Sequence, residues 1–225
     1  QVNVKEIDST YVVSGKDFKV EFDRSEGEIK TYTQNGQSVL TSGPSLDFWR
    51  TPIDNDGSAN SVRYESGKMV VDGRGGRLIK LWDRTGYPYI KRKVEETSCR
   101  SEDGAAVISV RSHITVTKEN MGFRVVETYV SNAAGDFSLP RRIEPYGELP
   151  EVARVFYGMP LRESFLRFSW YGKGPHEAYS DRKDGARFGV YEGTVDEMFV
   201  NYIYPQENGN RYDVRWASLQ ERPGQ

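Results

Sequence analysis

Near the middle of the chain the sequence runs Ile108-Ser109-Val110-Arg111-Ser112-His113-Ile114-Thr115-Val116-Thr117. Ile108, Val110, Ile114 and Val116 fall on one face of an extended chain, and polar residues fall on the other. Because side chains alternate between the two faces of a β-strand, this pattern predicts a strand with one buried and one solvated face. Strands of this kind are typical of antiparallel sheets. The stretch therefore points to an all-β fold.

Other segments repeat the strand signal. Residues 18–22 alternate in the same way, and Asn35-Gly36 between two β-prone runs is typical of a tight hairpin, whose central residues need positive φ. Residues 123–130 are apolar on both faces, which predicts a central strand. Two more strands are predicted over 154–159 and 166–170. The sequence thus predicts strands on both sides of its midpoint.

Two regions interrupt this series of strands. Residues 58–87 break the alternation, and within them residues 78–82 predict one or two helical turns ended by Gly86 and Pro88. Residues 140–150 contain three prolines and a glycine, which predicts a crossing loop. Neither region is a convincing linker, so we predict one domain over residues 1–225.

Composition and charge narrow the range of possible functions. The 225 residues include 22 Gly and 10 Pro, and 12% are aromatic, which favours strands joined by turns. Lys and Arg number 31 against 33 Asp and Glu, a net charge of −2, so no basic face is expected for nucleic acid. No apolar run is long enough to predict a membrane span. The one cysteine, Cys99, cannot form an intrachain disulfide.

The first unusual motif is Phe48-Trp49-Arg50-Thr51-Pro52-Ile53-Asp54-Asn55-Asp56-Gly57. Its three consecutive Asx residues suit a tight loop in which side-chain oxygens accept hydrogen bonds from nearby backbone amides. They could also bind a hard cation, but the alternating acids and distal Glu of a calcium loop are absent. Loop capping is therefore the simpler interpretation. We predict that Arg50 neutralises Asp54 and Asp56 in one cluster with Asn55.

The second motif has two parts, Trp170-Tyr171-Gly172-Lys173-Gly174-Pro175-His176-Glu177-Ala178-Tyr179-Ser180-Asp181-Arg182 and Tyr202-Ile203-Tyr204-Pro205-Gln206-Glu207-Asn208-Gly209. Aromatic rings beside carboxylates and amides suit a sugar site, although a buried structural network uses the same residues. We predict that a set of polar residues from both parts comes together in space, with His176 beside it: Glu177, Asp181, Arg182, Glu207 and Asn208. Arg182 is the expected hub, because its guanidinium can bind two acceptors at once.

Other chemistries have little support in the sequence. His113 and His176 are the only histidines, and neither is spaced from Cys99 as zinc ligands are, so we expect no metal. The sequence contains no Gly-x-Ser-x-Gly elbow for a nucleophilic serine. Glu177 and Glu207 have the residue type of a glycosidase carboxylate pair, but nothing in the sequence fixes their separation.

These motifs carry a resemblance to a known family. Phe-Trp-Arg-x-Pro-x-Asp-Asn-Asp at 48–56 resembles the signature that opens the C-terminal small-chain domain of family 2 β-galactosidases. Tyr-Gly-x-Gly-Pro-His-Glu-x-Tyr-x-Asp-Arg at 171–182 and Tyr-Pro-Gln-Glu-Asn-Gly at 204–209 resemble that domain's central signatures, in the same order. The resemblance extends from about Gly36 to Leu219 and is weakest between Ser58 and Val94.

The resemblance implies an antiparallel β-supersandwich of the galactose-mutarotase-like type, truncated at its C-terminus. In that family the catalytic glutamates lie in a separate (β/α)8 barrel, whose alternation of strands and helices is absent here. The resemblance therefore implies that this chain holds no catalytic residue and no cofactor, and that any Mg or Na ions belong to other domains. A tryptophan that contacts substrate in the family falls beyond the point matching Gln225.

The resemblance also implies partners: the other domains of a parent β-galactosidase, its galactoside substrate, and further copies in a homo-oligomer. The domain would help to close the active site in a bacterial cytoplasm or periplasm. Two alternatives stay open. One is a free-standing carbohydrate-binding module. The other is an aldose epimerase on the same fold, an activity that needs a general acid and base built from His and Glu.

Overall fold

The computed structural model describes residues 2–40, 42–57, 61–72, 76–116 and 120–221. The chain divides into two compact units. Unit 1 comprises Gln1–Arg50 and Arg77–Leu161, and unit 2 comprises Thr51–Gly76 and Arg162–Gln225. Both units are built mainly from antiparallel strands, which confirms the predicted all-β class. The single domain over residues 1–225 and its galactose-mutarotase-like type stay predictions.

The described residues of unit 1 form twelve strands, one α-helix and one 3-10 turn. The first six strands are β1 (Asn3–Ile7), β2 (Thr10–Ser14), β3 (Phe18–Asp23), β4 (Glu28–Gln34), β5 (Gln37–Ser38) and β6 (Ser45–Asp47). The next two strands in the chain belong to unit 2. The remaining elements of unit 1 are helix α1 (Arg77–Thr85), the 3-10 turn Tyr87–Tyr89, β9 (Lys91–Glu102), β10 (Ala105–Thr115), β11 (Gly122–Ser131), β12 (Phe137–Ser138), β13 (Arg141–Tyr146) and β14 (Phe156–Gly158).

Two antiparallel sheets form a sandwich in unit 1. Strands β1 to β5 pair in sequence order, and β9 to β12 form the second sheet, with β13 also paired to β11. Val20 and Phe22 of β3 pack in one core with Ile108 and Val110 of β10. The predicted strands at 18–22 and 108–117 are thus confirmed over the described residues. Strand β11 pairs on both sides, as predicted for a central strand.

A second core lies between β6, α1 and the ends of β10 and β11. The ring of Phe48 stacks on Phe123, with centroids 4.0 Å apart. Helix α1 buries Ile79 and Trp82, spaced three residues apart on one helix face. Helix α1 ends at Gly86, whose φ is 86°. The predicted helical turns and their end are confirmed.

The predicted crossing loop at 140–150 is wrong over the span of β13, which pairs with β11 along six residues. Pro145 lies opposite Phe123 in this pairing. Proline lacks the backbone N–H that a central strand must donate, but an edge strand can leave one side unpaired. Among the described residues β13 pairs with β11 alone. Proline is therefore compatible with a strand at this position.

Within the described part of the chain, unit 2 has a three-stranded sheet and a short hairpin. Its elements are the 3-10 turn Asp54–Asp56, β7 (Val62–Glu65), β8 (Lys68–Val71), β15 (Phe165–Gly174), β16 (Arg187–Thr194), helix α2 (Val195–Met198) and β17 (Trp216–Glu221). Strand β15 pairs with β16 on one side and β17 on the other. It contains the predicted strand at 166–170. Among the described residues, no helix has the length and apolar character needed to cross a bilayer.

The β4–β5 hairpin provides a test of the turn prediction. Asn35 and Gly36 have φ values of 50° and 76°, and no atom lies within 4 Å of a Cβ built on Gly36. We expect Gly36→Ala to lower the free energy of unfolding by about 1 kcal/mol through backbone strain alone. Urea denaturation measures this loss. Gly158→Ala, at a strand glycine whose added Cβ would make an ordinary 3.9 Å contact, is the matched control, and equal effects of both variants would refute the strain argument.

Candidate functional site

Glu177 is the centre of a hydrogen-bond network in unit 2. Its side chain follows β15 and is only 5% exposed. Its Oε1 accepts a hydrogen bond from Arg182 Nη2 at 2.8 Å and another from the Tyr202 hydroxyl. Its Oε2 accepts one from the backbone N–H of Gly209 at 2.9 Å. Both carboxylate oxygens are therefore engaged.

These donors set the protonation state of Glu177. Burial alone would raise the pKa of its carboxyl group. The hydrogen bonds from Tyr202, Gly209 and Arg182 favour the charged form and together outweigh burial, so the pKa of Glu177 lies below its usual 4.5. Glu177 is therefore an ionised carboxylate at neutral pH.

The turn at residues 204–209 presents the Gly209 amide to Glu177. Asn208 orders this turn, because its Oδ1 accepts from Val200 N–H at 3.1 Å and its Nδ2 donates to the Gln206 carbonyl at 3.2 Å. Gly209 has a φ of 77°, and an added Cβ would lie 3.0 Å from the Met198 carbonyl. Glycine is the residue that fits this backbone without strain.

The Asp54–Asp56 turn forms hydrogen bonds with residues of the second motif beside this network. Asp56 Oδ2 accepts from Ile53 N–H at 2.8 Å, which confirms the loop-capping interpretation for this residue. Asn55 Nδ2 donates to Asp181 Oδ2 at 2.6 Å. The Asp54 backbone N–H donates to Gln206 Oε1 at 3.2 Å. Three stretches that are distant in sequence thus meet in unit 2.

Two concavities border this network. The smaller, which we call the Asp181 cavity, has a volume of about 240 Å³ and is lined by Ile53, Asp54, Asn55, Tyr179, Asp181, Arg182, Tyr202, Gln206 and Glu207. The larger has a volume of about 890 Å³, and Trp170, His176, Glu192 and Arg211 are among its lining residues. Arg182 and Tyr202 line both concavities. The network therefore forms the wall that the two share.

The structure places most of the predicted set close together. Arg182 pairs with Glu177, and Asp181, Arg182 and Glu207 line one cavity, while Asn208 lies in the adjoining turn. The expected hub differs, because buried Glu177 accepts three hydrogen bonds whereas the Arg182 side chain is 60% exposed. A buried carboxylate must gather donors, and an exposed guanidinium can use water.

The observed positions of three more residues can be compared with the sequence predictions: His176, Arg50 and Tyr202. His176 is exposed on the larger concavity. Arg50 belongs to unit 1, where its guanidinium lies 5.8 Å from the centroid of the Trp82 ring; its cluster with Asp54 stays a prediction. Sequence reasoning did not select Tyr202, although its position two residues before Tyr204 within the second motif was a usable signal.

The geometry of this network suits Glu177 to holding its neighbours in place. Among the described residues no three His, Cys, Asp or Glu side chains are grouped to hold a metal ion. A general acid needs a raised pKa, and a nucleophile needs an accessible oxygen. Glu177 has neither property. It is an anchor that fixes Arg182 and Tyr202 at the cavity wall.

Antiparallel sheets and this anchored polar wall define an all-β domain with a mixed aromatic and polar site. The family model described as beta galactosidase small chain matches residues 14–224, nearly the whole chain. The chain belongs to this family. The resemblance drawn from the three motifs is thereby confirmed.

Individual relatives agree with this assignment. The chain is 27% identical to a beta-galactosidase of Priestia megaterium over 99% of its own length and 20% of the relative. It is 30% identical to a beta-galactosidase of Kluyveromyces lactis over 88% of its length and 18% of the relative. It is 29% identical to a beta-galactosidase of Pseudoalteromonas haloplanktis over 97% and 20%, respectively. The chain thus spans about a fifth of the length of these relatives.

Proposed function

We propose that this chain is a non-catalytic domain of a longer β-galactosidase, in which it helps to close the active site and supports assembly. The membership in the small-chain family and the one-fifth coverage of the relatives support its place in a longer enzyme. Its partners would be the remaining domains of that enzyme and further copies of it. A terminal β-galactoside would be the substrate of the whole protein.

The observation that carries the non-catalytic role is the state of Glu177. Of the two glutamates that a glycosidase mechanism would call on, Glu177 has both oxygens engaged and a pKa below its usual value. A retaining or inverting glycosidase needs one carboxylic acid with a raised pKa and one accessible carboxylate. Glu177 is suited to neither role, which supports placing the chemistry elsewhere in the parent protein.

We expect the isolated chain to hydrolyse a chromogenic β-galactoside at the buffer rate, even at high protein concentration. The parent protein is expected to hydrolyse the same substrate, and to lose that activity when the segment corresponding to residues 1–225 is deleted. Absorbance of the released chromophore measures both rates. Hydrolysis by the isolated chain that disappears in Glu177→Gln or Glu207→Gln would contradict the proposal, since it would assign chemistry to this domain.

A further inference from the structure

We propose that the Asp181 cavity of unit 2 binds a single hexose ring. This inference rests on the proposed function only in the choice of galactose as the probe. The cavity measures about 240 Å³. Sites for drug-sized ligands typically measure roughly 300–1,000 Å³, so this cavity suits one sugar ring better than an oligosaccharide.

The hydrogen-bonding groups of the cavity match those of a polyol. Asp181 accepts one bond from Asn55 at 2.6 Å, and an ionised carboxylate has about four lone-pair positions. Arg182 uses Nη2 to bind Glu177, and a guanidinium carries about five N–H donors. An acceptor and a donor thus lie on adjacent residues. A sugar hydroxyl both donates and accepts, so neighbouring hydroxyls of one ring can use both groups.

The wall behind these groups is held in place before any ligand binds. Arg182 and Tyr202 both donate to the buried carboxylate of Glu177. Because the Tyr202 hydroxyl donates a hydrogen bond to Glu177, the Tyr202 ring is held in the position where it lines the Asp181 cavity. A fixed aromatic ring offers an apolar surface to the C–H face of a hexose, and preorganisation lowers the ordering cost of binding.

The charges of the cavity argue against other small ligands. Asp181 contributes a carboxylate to its lining, and the guanidinium of Arg182 is already paired with Glu177. An anion would therefore be repelled. The described residues hold no cluster suited to a metal ion. A neutral ligand rich in hydroxyl groups fits this charge pattern.

The test is a titration of the whole chain with D-galactose, followed by amide chemical shifts, with glycerol at equal concentration as the reference. We expect saturable shifts confined to residues 53–55, 179–182 and 202–207. Asp181→Ala is expected to weaken the apparent affinity by roughly tenfold or more, the factor that one lost charged hydrogen bond can produce. Glu192→Gln, which changes a carboxylate of the larger concavity only, is expected to leave the affinity unchanged.

A second variant separates sugar binding from loop support. Asn55→Ala removes the donor to Asp181 but keeps the carboxylate, so we expect it to weaken galactose binding less than Asp181→Ala does. Dispersed amide spectra would show that both variants fold. Equal losses in the two variants would mean that Asp181 acts only by holding the loop, and would overturn the proposal. Shifts that do not saturate, or that glycerol reproduces, would overturn it as well. Hydrolytic activity plays no part in this readout, so failure here is distinguishable from failure of the proposed function.

Discussion

Arg92→Met is expected to lower the free energy of unfolding by about 3–5 kcal/mol, the usual cost of removing one partner of a buried ion pair. Arg92 Nη2 lies 2.5 Å from Glu127 Oε2, and the Glu127 side chain is 1% exposed in unit 1. Methionine preserves most of the apolar stem of arginine and removes its charge. The variant would leave the buried Glu127 carboxylate without the cation that contacts it, although the Tyr157 hydroxyl would still donate to Oε1 and Arg141 would still act at longer range. Urea denaturation followed by fluorescence measures the loss.

The surroundings of Arg92 limit how far solvent can replace it. Its Nη1 donates to Glu28 Oε1 at 2.8 Å and to the Glu26 carbonyl at 3.0 Å, and its Nε donates to Ser112 Oγ at 3.3 Å. The Arg92 side chain is 17% exposed. One guanidinium thus binds to both sheets of the unit 1 sandwich. Its removal would leave several acceptors unpaired at once.

A double variant separates the lost charge from the lost packing. Arg92→Met combined with Glu127→Leu removes both members of the pair, so we expect the double variant to recover much of the stability lost by Arg92→Met.

The stability lost in Arg92→Met is expected to depend on pH, and the sign of that dependence follows from the pKa of Glu127. Burial raises the pKa of Glu127 above its usual 4.5, with Arg92 partly opposing that rise, so the native state binds this proton more readily than the unfolded chain. The deficit of Arg92→Met should therefore shrink as the pH falls toward 4.5. A deficit that does not change with pH, or a double variant no more stable than Arg92→Met, would refute the charge explanation.

The Glu127 pair also shows what the sequence could predict. Glu127 falls on the same buried strand face as Val125 and Tyr129, whereas Arg124 and Val126 on the other face are exposed, so the prediction that residues 123–130 are apolar on both faces is wrong and simple alternation would have placed Glu127 on the core side. Its partner could not be found this way. Arg92 lies opposite Ile114 and Glu127 lies opposite Val110, and a register shift in the pairing of β9 with β10 separates the two positions. That diagonal contact depends on strand register, which local patterns do not specify.

Local signals predicted the elements better than the pairings. The Asn35-Gly36 turn and the end of α1 at Gly86 depend on neighbouring residues, and both were predicted correctly. The β7–β8 hairpin was not predicted, although Ser66 and Gly67 at its turn both have positive φ. The composition of the second motif predicted a polar cluster. Identifying Glu177 as the centre of that cluster requires knowing that its side chain is buried, and the motif alone does not reveal this.

Glu177→Gln is expected to lower the free energy of unfolding by roughly 1.5–3 kcal/mol, the range for hydrogen bonds to a charged group. The glutamine amide has a single oxygen. Whichever way the amide is turned, its NH2 would face either the Gly209 N–H or the donors of Arg182 and Tyr202. Because Arg182 is mostly exposed, water would partly replace its lost hydrogen bond to Glu177. The expected loss in free energy of unfolding is therefore smaller than for Arg92→Met.

Two measurements locate this effect in unit 2. Urea denaturation gives the loss of stability, and amide hydrogen exchange at Gly209 reports opening of the turn that donates to Glu177. Glu192→Gln is the matched control, because Glu192 forms an exposed pair with Arg167 at 3.3 Å and such pairs contribute little. We expect the control to change stability by less than about 0.5 kcal/mol.

The charge of Glu177 predicts how its contribution varies with pH. Its hydrogen bonds hold the native pKa below the usual 4.5, so the unfolded chain binds this proton more readily than the native state. The stabilisation is therefore complete above about pH 4.5 and is lost as the pH falls through the lower native pKa. The difference in stability between the native chain and Glu177→Gln should narrow over this acidic window. A difference that persists unchanged after the carboxylate is protonated would show that shape, rather than charge, holds Arg182, Tyr202 and the Gly209 turn together.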